Sequence, residues 1–249
     1  MKFTKIIAAV MAFAMALSLA ACSGSKTDYI IYSDNAFAPF EFLDEKTNEF
    51  IGVDMDLLAA IAEDQGFTYE MKNEGFDAAM GAVQAGTADA MIAGMTINDE
   101  RKKTFDFSDG YFSDGTIFVV AKDSKIDDYS DLKGKTIAAK RGTVSTDYAE
   151  SLKDEYKFEI QYFEDSPAMY QAVLTGTAVA CFEDFSVIGW AIKNEGIALK
   201  TVGEVVKPNQ YGFATKKGSN PELIEKFNAG LKNIKENGKY DEILAKYGY

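Results

Sequence analysis

Apolar positions along this chain alternate between two rhythms, a helical three-to-four-residue spacing and short unbroken runs, and the order of the two predicts an α/β fold. Tyr29-Ile30-Ile31-Tyr32 reads as a strand, with Asp34-Asn35-Ala36-Phe37-Ala38-Pro39-Phe40 as the loop at its carboxyl end. Over about 54–65, Leu57, Leu58, Ile61 and Ala62 share one helical face, and Gly66 follows as a stop. A second helix is expected over 76–84, then a strand over 90–93 and a loop over 95–101. Strand, loop, helix and strand form βαβ grammar. Further along, 116–121 and 136–139 read as strands, and the loop 140–145 leads into a helix capped by Ser145 or Thr146. Ser166 and Pro167 predict an N-cap and a Pro at N1 of the next helix. After a strand over 212–215, Leu223, Phe227, Leu231 and Ile234 make the apolar stripe of a helix that opens at Asn220-Pro221 and stops at Gly238. Tyr240, Ile243, Leu244 and Tyr247 predict a final short helix packed on the fold.

One segment occurs twice. Residues 82–94, with Ala82-Val83 and Gly86-Thr87-Ala88, are echoed by 172–184, with Ala172-Val173 and Gly176-Thr177-Ala178. Each copy reads as a helix ended by a left-handed glycine and followed by a buried strand. The fold is therefore expected to be doubled. Ligands of open α/β sheets bind outside the carboxyl ends of strands. The matching ends, at Gly94 and at Glu183-Asp184, would then face one cleft between two lobes.

The first residues carry a different pattern: Lys2 and Lys5, an apolar stretch over 6–19, then Leu19-Ala20-Ala21-Cys22. That segment is short for a membrane span and resembles a bacterial lipoprotein signal with its lipobox. It implies cleavage of a 1–21 signal peptide, a lipid on the Cys22 sulfur, a tether over 22–27 and a mature protein anchored outside the cytoplasmic membrane. With Cys22 so assigned, Cys181 has no partner for an internal disulfide and reads as a small core residue. The chain has no histidine, which removes Ser-His-Asp and Cys-His catalysis and argues against a catalytic zinc. A formal net charge of −13 gives no basic footprint for nucleic acid. No cofactor, metal or catalytic residue is expected.

Four blocks in order carry a resemblance. Gly52-Val53-Asp54-Met55-Asp56-Leu57-Leu58-Ala59-Ala60-Ile61-Ala62 resembles the signature of bacterial extracellular solute-binding proteins for polar amino acids. Asp34 to Phe42, Ala93-Gly94-Met95-Thr96-Ile97-Asn98-Asp99-Glu100-Arg101-Lys102-Lys103 and Phe105-Asp106-Phe107-Ser108-Asp109-Gly110-Tyr111 agree with it. Within that family the chain is most similar to the glutamine-binding proteins of ABC importers. The resemblance implies a periplasmic-binding-protein-like fold of two α/β lobes, 28–111 plus 212–249 and 115–208. Two crossovers at 111–115 and 209–211 would act as hinges around the ligand. It also implies a monomer that works with an ABC permease and its ATPase; no nucleotide-binding Walker loop is present in the chain.

An amino acid presents a carboxylate, an ammonium and a side chain, each needing a partner once water is excluded. By the resemblance, Arg101 clamps the carboxylate through its guanidinium fork, helped by Thr96 and the amide at Val144. Asp184 and the Gly94 carbonyl receive the ammonium, and Phe37 and Phe76 sandwich the aliphatic stem. Asp34 and Lys140 face the distal group, an acceptor and a donor suited to the amide of glutamine. Glu183 departs from the glutamine pattern, which has His at that place. Facing the pocket, it would favour arginine or lysine; paired with Lys140, it would restore neutrality; turned outward, it would leave the ligand untouched. An amino-acid dehydratase on the same fold, with Glu183 or Asp34 as acid or base, and a sensory domain are the alternatives to a transport receptor.

Overall fold

The computed structural model describes residues 27–44 and 46–249. The signal peptide, Cys22 and all but the last residue of the tether lie outside the described residues. β1 (Tyr29–Ser33), β5 (Tyr69–Asn73), β6 (Ala90–Met91), β7 (Phe105–Phe107) and β13 (Ala214–Lys216) form one five-stranded sheet in the order β5-β1-β6-β13-β7. β8 (Phe112–Ala121), β9 (Thr136–Lys140), β10 (Glu159–Phe163), β11 (Ala180–Asp184) and β12 (Leu199–Tyr211) form the other, in the order β10-β9-β11-β8-β12. In both sheets the first three strands in the order are parallel and the last two join antiparallel. The repeated sequence segments thus sit in equivalent places, ending in β6 and β11. A small antiparallel sheet of β2 (Ala36–Phe37), β3 (Glu41–Asp44) and β4 (Glu49–Ile51) is added to the first lobe.

Helices cover the sheets as a parallel arrangement demands. α1 (Val53–Gln65) and α2 (Phe76–Ala85) belong to the first lobe, and α3 (Val144–Tyr156), α4 (Ser166–Leu174) and α5 (Phe185–Trp190) to the second. α6 (Pro221–Glu236) and α7 (Lys239–Lys246) return to the first. The apolar stripe Leu223, Phe227, Leu231 and Ile234 is buried in one cluster with Leu57, Leu58 and Ile61 of α1. Gly230 lets the two helices approach, since a Cβ there would stand 2.8 Å from Ile61. Phe227 also stacks on Phe213 with ring centroids 4.5 Å apart. Each of these large side chains contributes roughly 1.5–3 kcal/mol through burial. Cys181 is buried among Met169, Tyr170 and Val173 of α4, in the core of the second lobe.

Several boundaries move by a residue or two. The oxygen that caps α3 is that of Thr143, which accepts from the Thr146 amide. Asp165 caps α4 through the Ala168 amide. Ser145 and Ser166 lie inside the helical turn, and a capping side chain must come from the extended residue before it. The strand expected over 90–93 is reduced to Ala90–Met91, beyond which the chain bends to Gly94. Asn237 closes α6, and Gly238 instead precedes α7.

The chain leaves the first lobe at Tyr111 and returns at Tyr211. β8 and β12 pair to their very ends, Phe112 opposite Tyr211, so the two crossing segments run side by side. Tyr111 donates its amide to the Tyr211 carbonyl at 2.9 Å. These crossings place the carboxyl ends of β1 and β6 opposite those of β9 and β11.

Candidate functional site

Between those strand ends lies a tight cavity lined by Phe37, Phe76, Ala93, Gly94, Thr96, Arg101, Lys140, Thr143, Val144 and Asp184. Eight of the ten residues singled out from the sequence are in that lining. Ala93 and Thr143 were not singled out. A wider groove between the lobes, about 1100 Å³, has Glu195 as its one charged lining residue. With no cation there, a carboxylate would have no clamp, and the smaller cavity is the place where opposite charges converge.

The floor is aromatic. Phe37 follows the loop after β1, and Phe76 opens α2; both are buried. Gly94 takes φ 52, and a Cβ on it would come within 2.5 Å of the Phe37 ring. Only glycine lets that ring lie flat against the strand end. The Lys140 ammonium sits 4.5 Å from the Phe37 centroid and 5.7 Å from that of Phe76, while the Arg101 guanidinium lies 5.4 Å from Phe76. Two cations are thereby held over two rings, a favourable arrangement once desolvated.

Arg101 enters from a short turn of 3₁₀-helix after the loop of Thr96. Its Nη1 donates to the Thr96 carbonyl at 2.8 Å, and its Nη2 crosses the cleft to the Gly142 carbonyl at 2.9 Å. Burial lowers its pKa to about 10, so it remains a cation at neutral pH. Facing it, Val144 begins α3, whose first-turn amides have no partner within the helix and suit a carboxylate.

Asp184 ends β11 in the lining. Its Oδ1 accepts from the Ser145 hydroxyl at 3.0 Å, and its Oδ2 lies 2.5 Å from the Tyr211 hydroxyl, which is also 3.0 Å from Asp114. Burial, then the charges of Asp114 and Glu183, raise the Asp184 carboxyl to about 7. It occupies the N-cap position of α5 without making a capping bond, so its carboxylate is committed to the cleft.

Asp34 and Glu183 are the two sequence candidates outside the lining. Asp34 stands behind Lys140, whose ammonium donates to Oδ2 at 2.5 Å; the pair is almost wholly excluded from solvent, at 3% and 1% exposure. Glu183 is buried on the opposite face of β11 from Asp184, because successive strand residues alternate. Its Oε2 accepts from the hydroxyls of Ser166 (2.7 Å) and Tyr170 (2.8 Å), and its Oε1 from the Asp184 amide at 2.9 Å. Glu183 is neither in the cavity lining nor exposed; it is hydrogen-bonded to Ser166, Tyr170 and the Asp184 amide, and it meets Lys140 through charge rather than through a hydrogen bond. Burial raises its pKa while the Lys140 charge and these donors oppose the rise.

Gly142, Ser145, Asp114 and Tyr211 were missed. Gly142 supplies a carbonyl, which no side-chain pattern advertises; Ser145 and Tyr211 hold Asp184 by hydrogen bonds from distant parts of the chain, and Asp114 accepts from Tyr211 while its charge raises the Asp184 carboxyl. Among the described residues, no group of His, Cys, Asp or Glu could hold a metal ion, and no helix is long and apolar enough to cross a membrane.

Comparison with known proteins agrees with this architecture. A probable histidine-binding protein of Neisseria gonorrhoeae is 32% identical over 99% of this chain and 96% of its own length. The second substrate-binding domain of Lactococcus lactis GlnP, solved in an open conformation, is 45% identical, with a TM-score of 0.61 over 90% of this chain and 97% of its own. An ancestral arginine-binding protein solved with arginine is 35% identical, with a TM-score of 0.82 over 89% and 98% of the two chains, and an ancestral arginine-binding protein solved with glutamine is 36% identical, with a TM-score of 0.81 over 88% and 97%. The two-lobed α/β periplasmic-binding-protein fold is therefore shared with solved relatives named as amino-acid-binding proteins and substrate-binding domains. The model of the bacterial extracellular solute-binding proteins, family 3, matches residues 29–249, and this chain belongs to that family.

Proposed function

We propose that the protein captures a free polar amino acid, glutamine first, and delivers it to an ABC permease driven by its ATPase. The observation that carries the choice of glutamine is the buried Asp34–Lys140 pair at the inner end of the cavity. Lys140 reaches the lining as a donor whose charge Asp34 neutralises from behind, which suits a neutral amide better than a cationic side chain. Glu183, engaged by three donors on the far face of β11, adds no acceptor to the lining. Arg101, Thr96 and the amide of Val144 would take the carboxylate, Asp184 and the Gly94 carbonyl the ammonium, and Phe37 and Phe76 the stem.

In this reading the lobes are 28–111 with 212–249 and 115–208, and they close about 111–115 and 209–211. Contacts across the cleft, Lys140 to Asp34 and Arg101 to Gly142, belong to the closed arrangement. The likeness in TM-score supports this: it is higher to the ligand-bound ancestral protein than to the more identical open GlnP domain. A lipid on Cys22 would keep the monomer at the outer face of the membrane, and Cys22→Ser would then move it from the membrane fraction to the medium or periplasm.

The relatives' names support a second reading, because they specify histidine and arginine as well as glutamine. A thermal-shift screen of refolded, ligand-stripped protein against the common amino acids separates the two. Ligand at a hundred times its dissociation constant adds about 2.7 kcal/mol of stability. A shift with glutamine and none with arginine is expected. A shift with arginine alone would mean that Lys140 leaves Asp34 to a cationic side chain, and no shift with any amino acid would overturn the proposal.

A further inference from the structure

Behind Gly94, in the interior of the first lobe, two carboxyl groups meet that the cavity itself does not use. Glu41 on β3 and Asp54 in the first turn of α1 are both completely shielded from solvent. Asp54 Oδ2 accepts from the Gly94 amide at 2.8 Å and from the Tyr111 hydroxyl at 2.7 Å. One of these partners lines the cavity, and the other begins the crossing to the second lobe. Asp54 Oδ1 and both Glu41 oxygens, in contrast, receive no N–H or hydroxyl donor from the described residues. The two side chains lie within hydrogen-bonding reach of each other.

Three unfilled carboxylate oxygens in one dry space are costly if both groups are ionised, through lost hydration and mutual repulsion. A single proton removes both costs. As a carboxylic acid, Glu41 has an O–H to give, and Asp54 Oδ1 is a vacant acceptor. We propose that Glu41 and Asp54 share one proton, and that this pair is a positioning unit that holds the Gly94 amide and the Tyr111 hydroxyl in place. Asp54 then keeps its charge for those two donors, and Gly94 keeps the left-handed turn that brings it against Phe37.

The surroundings favour that proton. Burial raises Glu41 well above the usual carboxylate range; Asp54 and then Asp34 raise it further, and Lys140 from the second lobe opposes them. Burial also raises Asp54, to about 6, against the Gly94 amide, the Tyr111 hydroxyl and Glu41 itself. Tyr111, facing both acids, is held protonated well beyond its ordinary range. A group whose pKa is higher in the folded state contributes stability that is complete at low pH and is lost as pH rises through the folded value. The stability this pair contributes should therefore decline as pH rises from the ordinary carboxylate range through the raised folded value.

The test compares full-chain wild type, Glu41→Gln and Asp54→Asn by infrared spectroscopy in mildly alkaline buffer, where Asp184 is ionised. Wild type should show the carbonyl band of a buried protonated carboxyl; Glu41→Gln should lose it, and Asp54→Asn, whose amide oxygen replaces a carboxylate as the acceptor of the Glu41 O–H, should shift its frequency. Glu41→Gln keeps a donor for Asp54 without a titrating proton, so it should also lessen the decline in melting temperature as pH rises. The role in the cavity rests on the amino-acid-binding reading, and there Glu41→Gln should hold a glutamine thermal shift within about threefold of wild-type affinity. The spectrum needs no ligand, so it stands even where no amino acid binds. Absence of the band in wild type, its persistence in Glu41→Gln, or an unshifted band in Asp54→Asn would overturn the shared proton. If Glu41→Gln does not fold, the wild-type spectrum against Asp54→Asn still decides. Loss of the band together with unchanged binding and unchanged melting in Glu41→Ala would overturn the positioning role.

Discussion

β6 and β11 occupy the same place in their sheets, yet β6 runs out through the uncharged Ile92-Ala93-Gly94 and β11 through Glu183-Asp184. At the first strand end the cavity wall is backbone and ring: Gly94 lies against Phe37, and the charge that steadies it, Asp54, is buried behind. At the second, a carboxylate is itself the wall, steadied by hydroxyls of Ser145 and Tyr211. The duplicated halves have thus divided the work. One end supplies fixed shape and the other supplies charge that responds to pH, and the same topology accommodates both because the differences lie at the strand ends that face the cleft.

The comparison can be broken most severely from a residue that serves both ends. Arg101→Ala removes the one lining cation that bridges Thr96 and Gly142, and would strand a ligand carboxylate in a dry site. About 3–5 kcal/mol, two to four orders of magnitude in affinity, is expected by calorimetry, with the fold retained. Asp184→Asn should cost about 2–3 kcal/mol by removing an ionic hydrogen-bond partner of the ammonium. Retention of full affinity there would deny that the second strand end supplies the charge. Gly94→Ala attacks the other end by shape alone. Its positive φ and the Phe37 contact should lower stability by about 1–3 kcal/mol and affinity with it, and the loss should not vary with pH.

A finer distinction comes from pH. Asp184 near 7 in the empty protein must ionise to receive an ammonium, so binding releases a proton below that value. Affinity should fall about tenfold for each pH unit below 7, and Asp184→Asn should flatten that slope. The smallest effect is expected of Glu183→Gln. With its carboxylate turned to Ser166, Tyr170 and the Asp184 amide, the exchange should change glutamine affinity by about threefold or less, and a gain of arginine binding there would show that its charge reaches the ligand.

Much of this was legible in the chain. The helical stripe of Leu223, Phe227, Leu231 and Ile234 announces a buried face, and the echo of 82–94 in 172–184 announces two equivalent strand ends, because periodicity and local turn chemistry are properties of contiguous residues. The family blocks hold half of the cavity lining, Phe37, Ala93, Gly94, Thr96 and Arg101. Strand alternation, applied to Glu183 and Asp184, would also have set them on opposite faces. Less accessible were the capping oxygens of Thr143 and Asp165, which depend on which residue first becomes helical.

Sequence by itself determined the α/β alternation, the doubled plan, the absence of histidine chemistry and the family of the chain. Tertiary structure decided which charges meet. Lys140 finds Asp34, Arg101 finds Gly142, Asp184 finds Tyr211 and Glu41 finds Asp54 only when segments from different parts of the chain converge. The physical reason is range: helix and strand preferences act over a few residues, whereas the value of a buried charge depends on every group that folding brings within a few ångströms of it.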